Sequence, residues 1–212
     1  MKYLLRMLLR KLGCDVVGLT KTQRELLTHE PWLHYRDLVA EEAITLPVGE
    51  ISLAESKLLI SLVGNLEDDG PIIEIGTLFG RSTRVMACFK DRDRELITVD
   101  NYSWNPLHLA PEVHYRITAS VLSEAVDKFN VKQVRMGKDE FYSTYHGKRP
   151  ALVFIDAIHT YEATKADIAW GKSVNAGIIC GHDFDKEKSR GVVQAVHECG
   201  GPRQVVETLW VL

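Results

Sequence analysis

The chain has no long apolar run, no excess of either charge and no paired cysteine motif. Each absence removes a class of protein. Nothing in the 212 residues approaches the roughly 20 consecutive apolar residues of a membrane-spanning helix. The 26 basic residues against 29 acidic ones leave a net charge of −3, without the basic face of a dedicated nucleic-acid binder, so no nucleic acid is expected as partner. Cys14, Cys88, Cys180 and Cys199 lie far apart and form no CxxC pair, which excludes zinc-ribbon and thioredoxin-type sites. Cys88 and Cys180 sit in apolar segments, as small hydrophobes do in a reducing compartment, so a cytoplasmic location is expected. Internal repeats and low-complexity stretches are missing too.

What is present begins with MKYLLRMLLRKL, residues 1–12. Arg6 and Arg10 interrupt the apolar residues and no small-residue cleavage site follows, unlike a signal peptide. At helical spacing Lys2, Arg6 and Arg10 form one stripe and Leu4, Leu5, Leu8, Leu9 and Leu12 the opposite one. Two readings fit: a helix covered by the domain or by a second copy in a homo-oligomer, or peripheral membrane contact through residues 1–12.

Residues 1 to about 65 read as helices, with Ser52-Leu-Ala-Glu55 as a capping box ahead of an apolar face. Gly70-Pro71 ends this zone. Short apolar runs then alternate with amphipathic segments. The expected strands are Ile72–Ile75, Leu96–Asp100, Val131–Met136, Leu152–Asp156, Gly177–Cys180 and Val205–Val211. The expected helices are Ser82–Phe89, Glu112–Phe129, Tyr161–Val174 and Val192–Glu198. Short apolar runs without polar alternation, set between helices, mean βαβ units around a mostly parallel sheet, an α/β three-layer sandwich. Residues 1–50 are then a helical extension and 51–212 the main domain.

Ligands of such a sheet bind beyond the carboxyl ends of its strands. Those ends carry Glu74-Ile-Gly76, Asp100, Met136-Gly137, Asp156 and Gly181-His182-Asp183. In Ile72-Ile-Glu-Ile-Gly-Thr-Leu-Phe-Gly-Arg-Ser-Thr83, Gly76 allows a sharp turn and close ligand approach. Gly80 allows close packing where Ser82 or Thr83 caps the next helix. Leu78 stands where a dinucleotide site needs its middle glycine, and Glu74 precedes the turn; both disfavour a pyrophosphate and suit a cationic or hydroxyl-rich ligand. Asp100 is placed to accept both hydrogen bonds of a ribose diol.

This E-x-G-x-x-x-G turn with a distant strand-end aspartate resembles class I S-adenosylmethionine-dependent methyltransferases, a Rossmann-like fold, from about Ser52 to Leu212. The resemblance implies that the backbone at Gly76 holds the methionine part, with Glu74, Gly80 and Ser82 close by. Asp100 then binds the ribose, and Met136-Gly137-Lys138-Asp139 flanks the adenine.

Phe154-Ile-Asp156-Ala-Ile-His159-Thr-Tyr161 and Gly181-His182-Asp183 close two further strands. Neighbouring strand ends lie about 5 Å apart, so Asp156, His182 and Asp183 can converge on one ion. Oxygen ligands suit Mg²⁺ or Mn²⁺, and the imidazole tilts the choice toward Mn²⁺, Fe²⁺ or Zn²⁺. The alternative is that Asp156 caps the next helix and His182 packs in the crevice. The same elements resemble the methyltransferase group that includes metal-assisted macrolide-sugar O-methyltransferases and cephalosporin-hydroxylase-like proteins. That likeness implies metal ligation by Asp156, His182 and Asp183, with His182 where the group's best-understood members carry Glu. It also implies His159 as base, a residue type suited to take a proton near neutral pH. The expected reaction is methyl transfer to a hydroxyl of a sugar or other small molecule. The rivals are an NAD(P)-dependent oxidoreductase and a non-catalytic, cofactor-binding partner subunit. The aromatic segment Asn101–Pro111, with Tyr102, Trp104 and His108, is the candidate lid or acceptor wall.

Overall fold

The computed structural model describes residues 49–212. The expectations for the N-terminal helices, for contact of residues 1–12 with a membrane and for Cys14 lie outside the described residues.

The described chain runs α1 (Leu53–Gly64), β1 (Ile72–Ile75), α2 (Arg81–Phe89), β2 (Leu96–Asp100), α3 (Pro111–Lys128), β3 (Val131–Arg135), α4 (Lys138–Thr144), β4 (Leu152–Ile155), α5 (Tyr161–Ser173), β5 (Ile178–Gly181), α6 (Arg190–Glu198), β6 (Gln204–Val206) and β7 (Leu209–Val211). The seven strands form one sheet of order β3-β2-β1-β4-β5-β7-β6. β1 to β5 pair in parallel, while β7 pairs antiparallel with both β5 and β6.

Successive strand residues point to opposite faces, and both faces are buried. Ile72, Leu96, Val131, Leu152 and Phe154 face Leu58, Leu59 and Val63 of α1 and Val85 and Met86 of α2. Ile73, Ile75, Ile97, Val153 and Ile155 face Phe141 of α4, Ile168 and Trp170 of α5, and Val192 and Val196 of α6. The result is the expected Rossmann-like three-layer sandwich. No helix among the described residues is long and apolar enough to cross a membrane.

Three expectations change. The single strand Val205–Val211 is a hairpin, β6-β7, turning at Glu207, which adopts φ +52°. The run carries no glycine, proline or asparagine to mark that turn. Helix α4 went unread because its seven residues bury only Phe141. Ser82 and Thr83 do not cap α2: its N-cap is Gly80, in the left-handed region at φ +85°.

Candidate active site

The order in which strands are laid down reverses between the parallel neighbours β1 and β4, which opens a crevice at their carboxyl ends. The ladder continues one residue past each strand. Gly76 N–H donates to Val99 O at 2.9 Å, Asp156 N–H to Ile75 O at 2.8 Å and His182 N–H to Ile155 O at 3.0 Å. Asp100, Gly76, Asp156 and His182 therefore stand in one row across four strand ends. Gly76 has φ +100°, and a Cβ there would collide with the backbone carbonyl of Asp156. Only glycine lets β1 and β4 approach this closely while the chain turns.

Two carboxylates build the loop after Gly76. Glu74 is fully buried; Ser82 Oγ and Thr83 Oγ1 each donate to it at 2.5 Å. Burial pushes its carboxyl up to about 7 against the opposing pull of these hydroxyls. Asp100 accepts from Thr77 N–H at 2.9 Å and Leu78 N–H at 3.0 Å on Oδ2, and from Tyr102 N–H at 2.7 Å on Oδ1. Leu78 itself sits at φ +48°, and its carbonyl accepts from His114 Nε2 at 2.8 Å and Thr118 Oγ1 at 2.7 Å.

These contacts revise several expected cofactor residues. Glu74 braces the loop from beneath and is not among the groups lining the cleft. Ser82 spends its hydroxyl on Glu74, and Gly80 packs against Leu122 of α3. Gly137 opens α4, while its neighbours Met136 and Lys138 line the cleft. Tyr102 is buried at 0% exposure against His114 and Tyr115, so it belongs to the core. Trp104, at 63% exposure, is the aromatic left lining the cleft, which Ile158, at 54%, lines too.

The second half of the site lies beyond β4 and β5. His159 Nε2 is 3.0 Å from Asp183 Oδ2 and 3.8 Å from Asp156 Oδ1. One ligand atom each from Asp156, His159 and Asp183 lies within 4.8 Å of the others, a group able to hold a metal ion. His159 thus takes the place expected for His182. The His182 ring is 7% exposed and directs Nε2 to Glu55 Oε2, 3.2 Å away on α1, leaving Nδ1 3.3 Å from Asp183 Oδ2. Asp156 does not cap α5; Thr160 does, accepting from Ala163 N–H.

The electrostatics follow from this pairing. Asp156 and Asp183 raise the His159 imidazole to about 10, overcoming the opposing effect of burial. This pairing favours the protonated ring, a different state from the near-neutral base expected of His159. Burial lowers the His182 pKa, but Asp156, Asp183 and Glu55 outweigh it and raise it well above the usual imidazole range. Sequence reasoning missed Glu50, which lines the cleft; burial and the charges of Asp156 and Asp183 raise its carboxyl. Nothing in its local sequence marks it.

The profile of a family described as "Methyltransferase domain" matches residues 73–184, more than half of the chain. The chain belongs to this family, and with this fold and strand-end pattern it is a class I methyltransferase, the S-adenosylmethionine-dependent class. No curated protein matches it. Among solved structures it is similar to cofactor-bound Rv0187 from MTB: 23% identity, 78% of this chain and 80% of that one, TM-score 0.59. It is also similar to a Bacillus cereus O-methyltransferase in complex with SAH: 19% identity, 98% and 94% coverage, TM-score 0.56. A third is CalS11, a TDP-rhamnose 3'-O-methyltransferase of calicheamicin biosynthesis in its apo form: 17% identity, 74% and 76% coverage, TM-score 0.53.

Proposed function

We propose that the protein transfers the methyl group of S-adenosylmethionine to a hydroxyl of a small-molecule acceptor, sugar hydroxyls included. The observation that carries this reading is the convergence of Asp183 on Asp156 and His159, the latter two lining the cleft with Gly76. The turn at Gly76 takes the methionine part of the cofactor, and Met136 and Lys138 flank its adenine. A carboxylate offers about four lone-pair sites. Asp100 already uses three on backbone N–H groups, so it accepts from one ribose hydroxyl rather than both.

Methyl transfer is an in-line displacement at the sulfonium carbon, so the acceptor oxygen must be aligned and must lose its proton. Trp104 and Ile158 offer an apolar wall on which an acceptor ring stacks. Asp156 lines the cleft beside His159. As the new C–O bond forms and the C–S bond breaks, the hydroxyl proton passes to the Asp156 carboxylate. The protonated His159 ring stabilises the charge shared between Asp156 and Asp183. Two carboxylates and an imidazole also fit Mg²⁺ or Mn²⁺ once His159 releases its proton. A bound divalent ion supplies Lewis acidity to the acceptor oxygen. The free thiols of Cys88, Cys180 and Cys199 agree with a reducing, cytoplasmic setting.

Titration calorimetry of metal-stripped protein with S-adenosylmethionine, repeated with Mg²⁺ and Mn²⁺, tests the reading alongside a panel of hydroxylated acceptors. Saturable binding with methyl transfer to a hydroxyl supports it. Binding without transfer to any acceptor favours a non-catalytic partner subunit, and no binding overturns both. A metal-linked change in affinity that disappears in Asp183→Asn assigns the ion to this cluster.

A further inference from the structure

The reaction leaves one buried cluster without a role. Glu55 is 2% exposed and His182 is 7% exposed, and neither lines the cleft. Glu55 completes the capping box of α1 by accepting from Ser52 N–H on Oε2 at 2.7 Å. Capping needs no more than that one oxygen. Yet Oε1 also accepts from Thr208 N–H at 2.9 Å and Thr208 Oγ1 at 2.7 Å. His182 Nε2 then bridges Glu55 Oε2 at 3.2 Å and Thr208 Oγ1 at 3.0 Å.

The other side of His182 faces the reacting groups. Its Nδ1 lies 3.3 Å from Asp183 Oδ2, the same oxygen that stands 3.0 Å from His159 Nε2. Asp183 adopts φ +62°, a left-handed conformation that a non-glycine residue keeps only when its surroundings hold it. The surroundings do hold it. Trp210 Nε1 donates to His182 O at 3.0 Å, and Phe184 N–H donates to Thr208 O at 2.8 Å.

We propose that Glu55 and His182 are positioning residues that, clamped together with Thr208, fix the Asp183 carboxylate against His159. The proposal rests on the role given to Asp156, His159 and Asp183 above. It makes the start of α1 and the β6-β7 hairpin working parts of the site. Glu55 is 127 positions from His182, and Thr208 is 153 from Glu55, so the clamp ties both ends of the described chain to one carboxylate.

Two variants test it. Glu55→Gln keeps an oxygen for the Ser52 cap, since glutamine serves in capping boxes, but removes the charge beside His182 and turns its amide NH2 onto the Thr208 donors that Oε1 accepts from. Thr208→Val removes the hydroxyl shared by Glu55 and His182 and leaves the cap untouched. The measurements are thermal unfolding, NMR of the histidine ring protons, cofactor binding, and kcat and KM. Outer partners of a reacting group are worth about 10- to 100-fold in activity, so kcat should fall by at least about tenfold in both folded variants. The His159 ring resonances should move, and cofactor affinity should stay within about twofold, because the loss falls on the transition state alone. Unchanged His159 resonances in folded variants, unchanged kcat, or an equal loss of kcat and cofactor affinity would overturn the clamp. If the wild-type protein binds no cofactor, methyl transfer fails, and the ring resonances still decide the clamp by themselves.

Discussion

The buried carboxyl of Glu74 should make this protein's stability fall as pH rises through the slightly acid range. Its ordinary value is 4.5, and burial holds it at about 7. A carboxyl raised in the folded state binds its proton more tightly there than in the unfolded chain. Stability is therefore fully present below about 4.5 and is lost as pH climbs through about 7. At 1.36 kcal/mol per pH unit the change amounts to about 3 kcal/mol. Other groups titrate in the same window, so the difference between wild type and Glu74→Gln is the quantity to measure.

The amide cannot titrate. It has one accepting oxygen for two hydroxyl donors, Ser82 and Thr83, so at low pH the variant should be less stable by about 1 kcal/mol. Above pH 7.5 the wild type carries its buried charge and the variant should be the more stable by about 2 kcal/mol, a Tm gain of roughly 4–8 °C at this chain length. Urea unfolding of both proteins at pH 4.5, 6 and 8 reads the crossover. A stability difference that keeps one sign and size across the three would show that Glu74 does not titrate in this range, and the account of the loop would fall.

Gly76→Ala should unfold the protein or cost more than about 3 kcal/mol in urea melts, because it combines a left-handed residue with a collision against the Asp156 carbonyl. Lys138→Met should cost about 3–5 kcal/mol in the same assay, since it strands the fully buried carboxylate of Asp167 without its ion-pair partner. His159→Ala removes the cation that stabilises Asp156 and Asp183 and should lower kcat by about 100-fold or more with cofactor affinity nearly unchanged in calorimetry; unimpaired turnover would remove His159 from the chemistry. Trp104→Ala should raise KM for the acceptor and leave binding of S-adenosylmethionine alone; an equal loss of both would place Trp104 on the cofactor instead.

The parallel core was legible because its signal is local. Leu152–Ile155 is an unbroken apolar run followed at once by Asp156, Ile72–Ile75 is apolar but for Glu74 and ends at Gly76, and both emerge as fully buried strands. The C-terminal edge was less so. Val205 to Val211 reads as one run, and the bend at Glu207-Thr208 is imposed by tertiary contacts: Thr208 is gripped by Glu55 and Trp210 donates to the His182 carbonyl. A turn made by distant partners leaves no glycine or asparagine behind.

The site divides along the same line. That carboxylates stand at the strand ends is a property of each segment, and Glu74, Asp100, Asp156 and Asp183 are all there. What each carboxylate does depends on which group satisfies it, and those partners come from elsewhere in the chain. Ser82 and Thr83 turn Glu74 inward; the N–H groups of Thr77 and Leu78 occupy Asp100. His182 shows the cost of reasoning from position alone. Adjacency to Asp183 makes it look like a ligand beside a ligand, and the register does place it next to Asp156. But the ring has two nitrogens: Nδ1 faces Asp183 while Nε2 is held by Glu55, which the sequence marks only as part of a helix cap. His159, the more exposed of the two imidazoles beside these aspartates, is the one that completes the ion-binding group with Asp156 and Asp183.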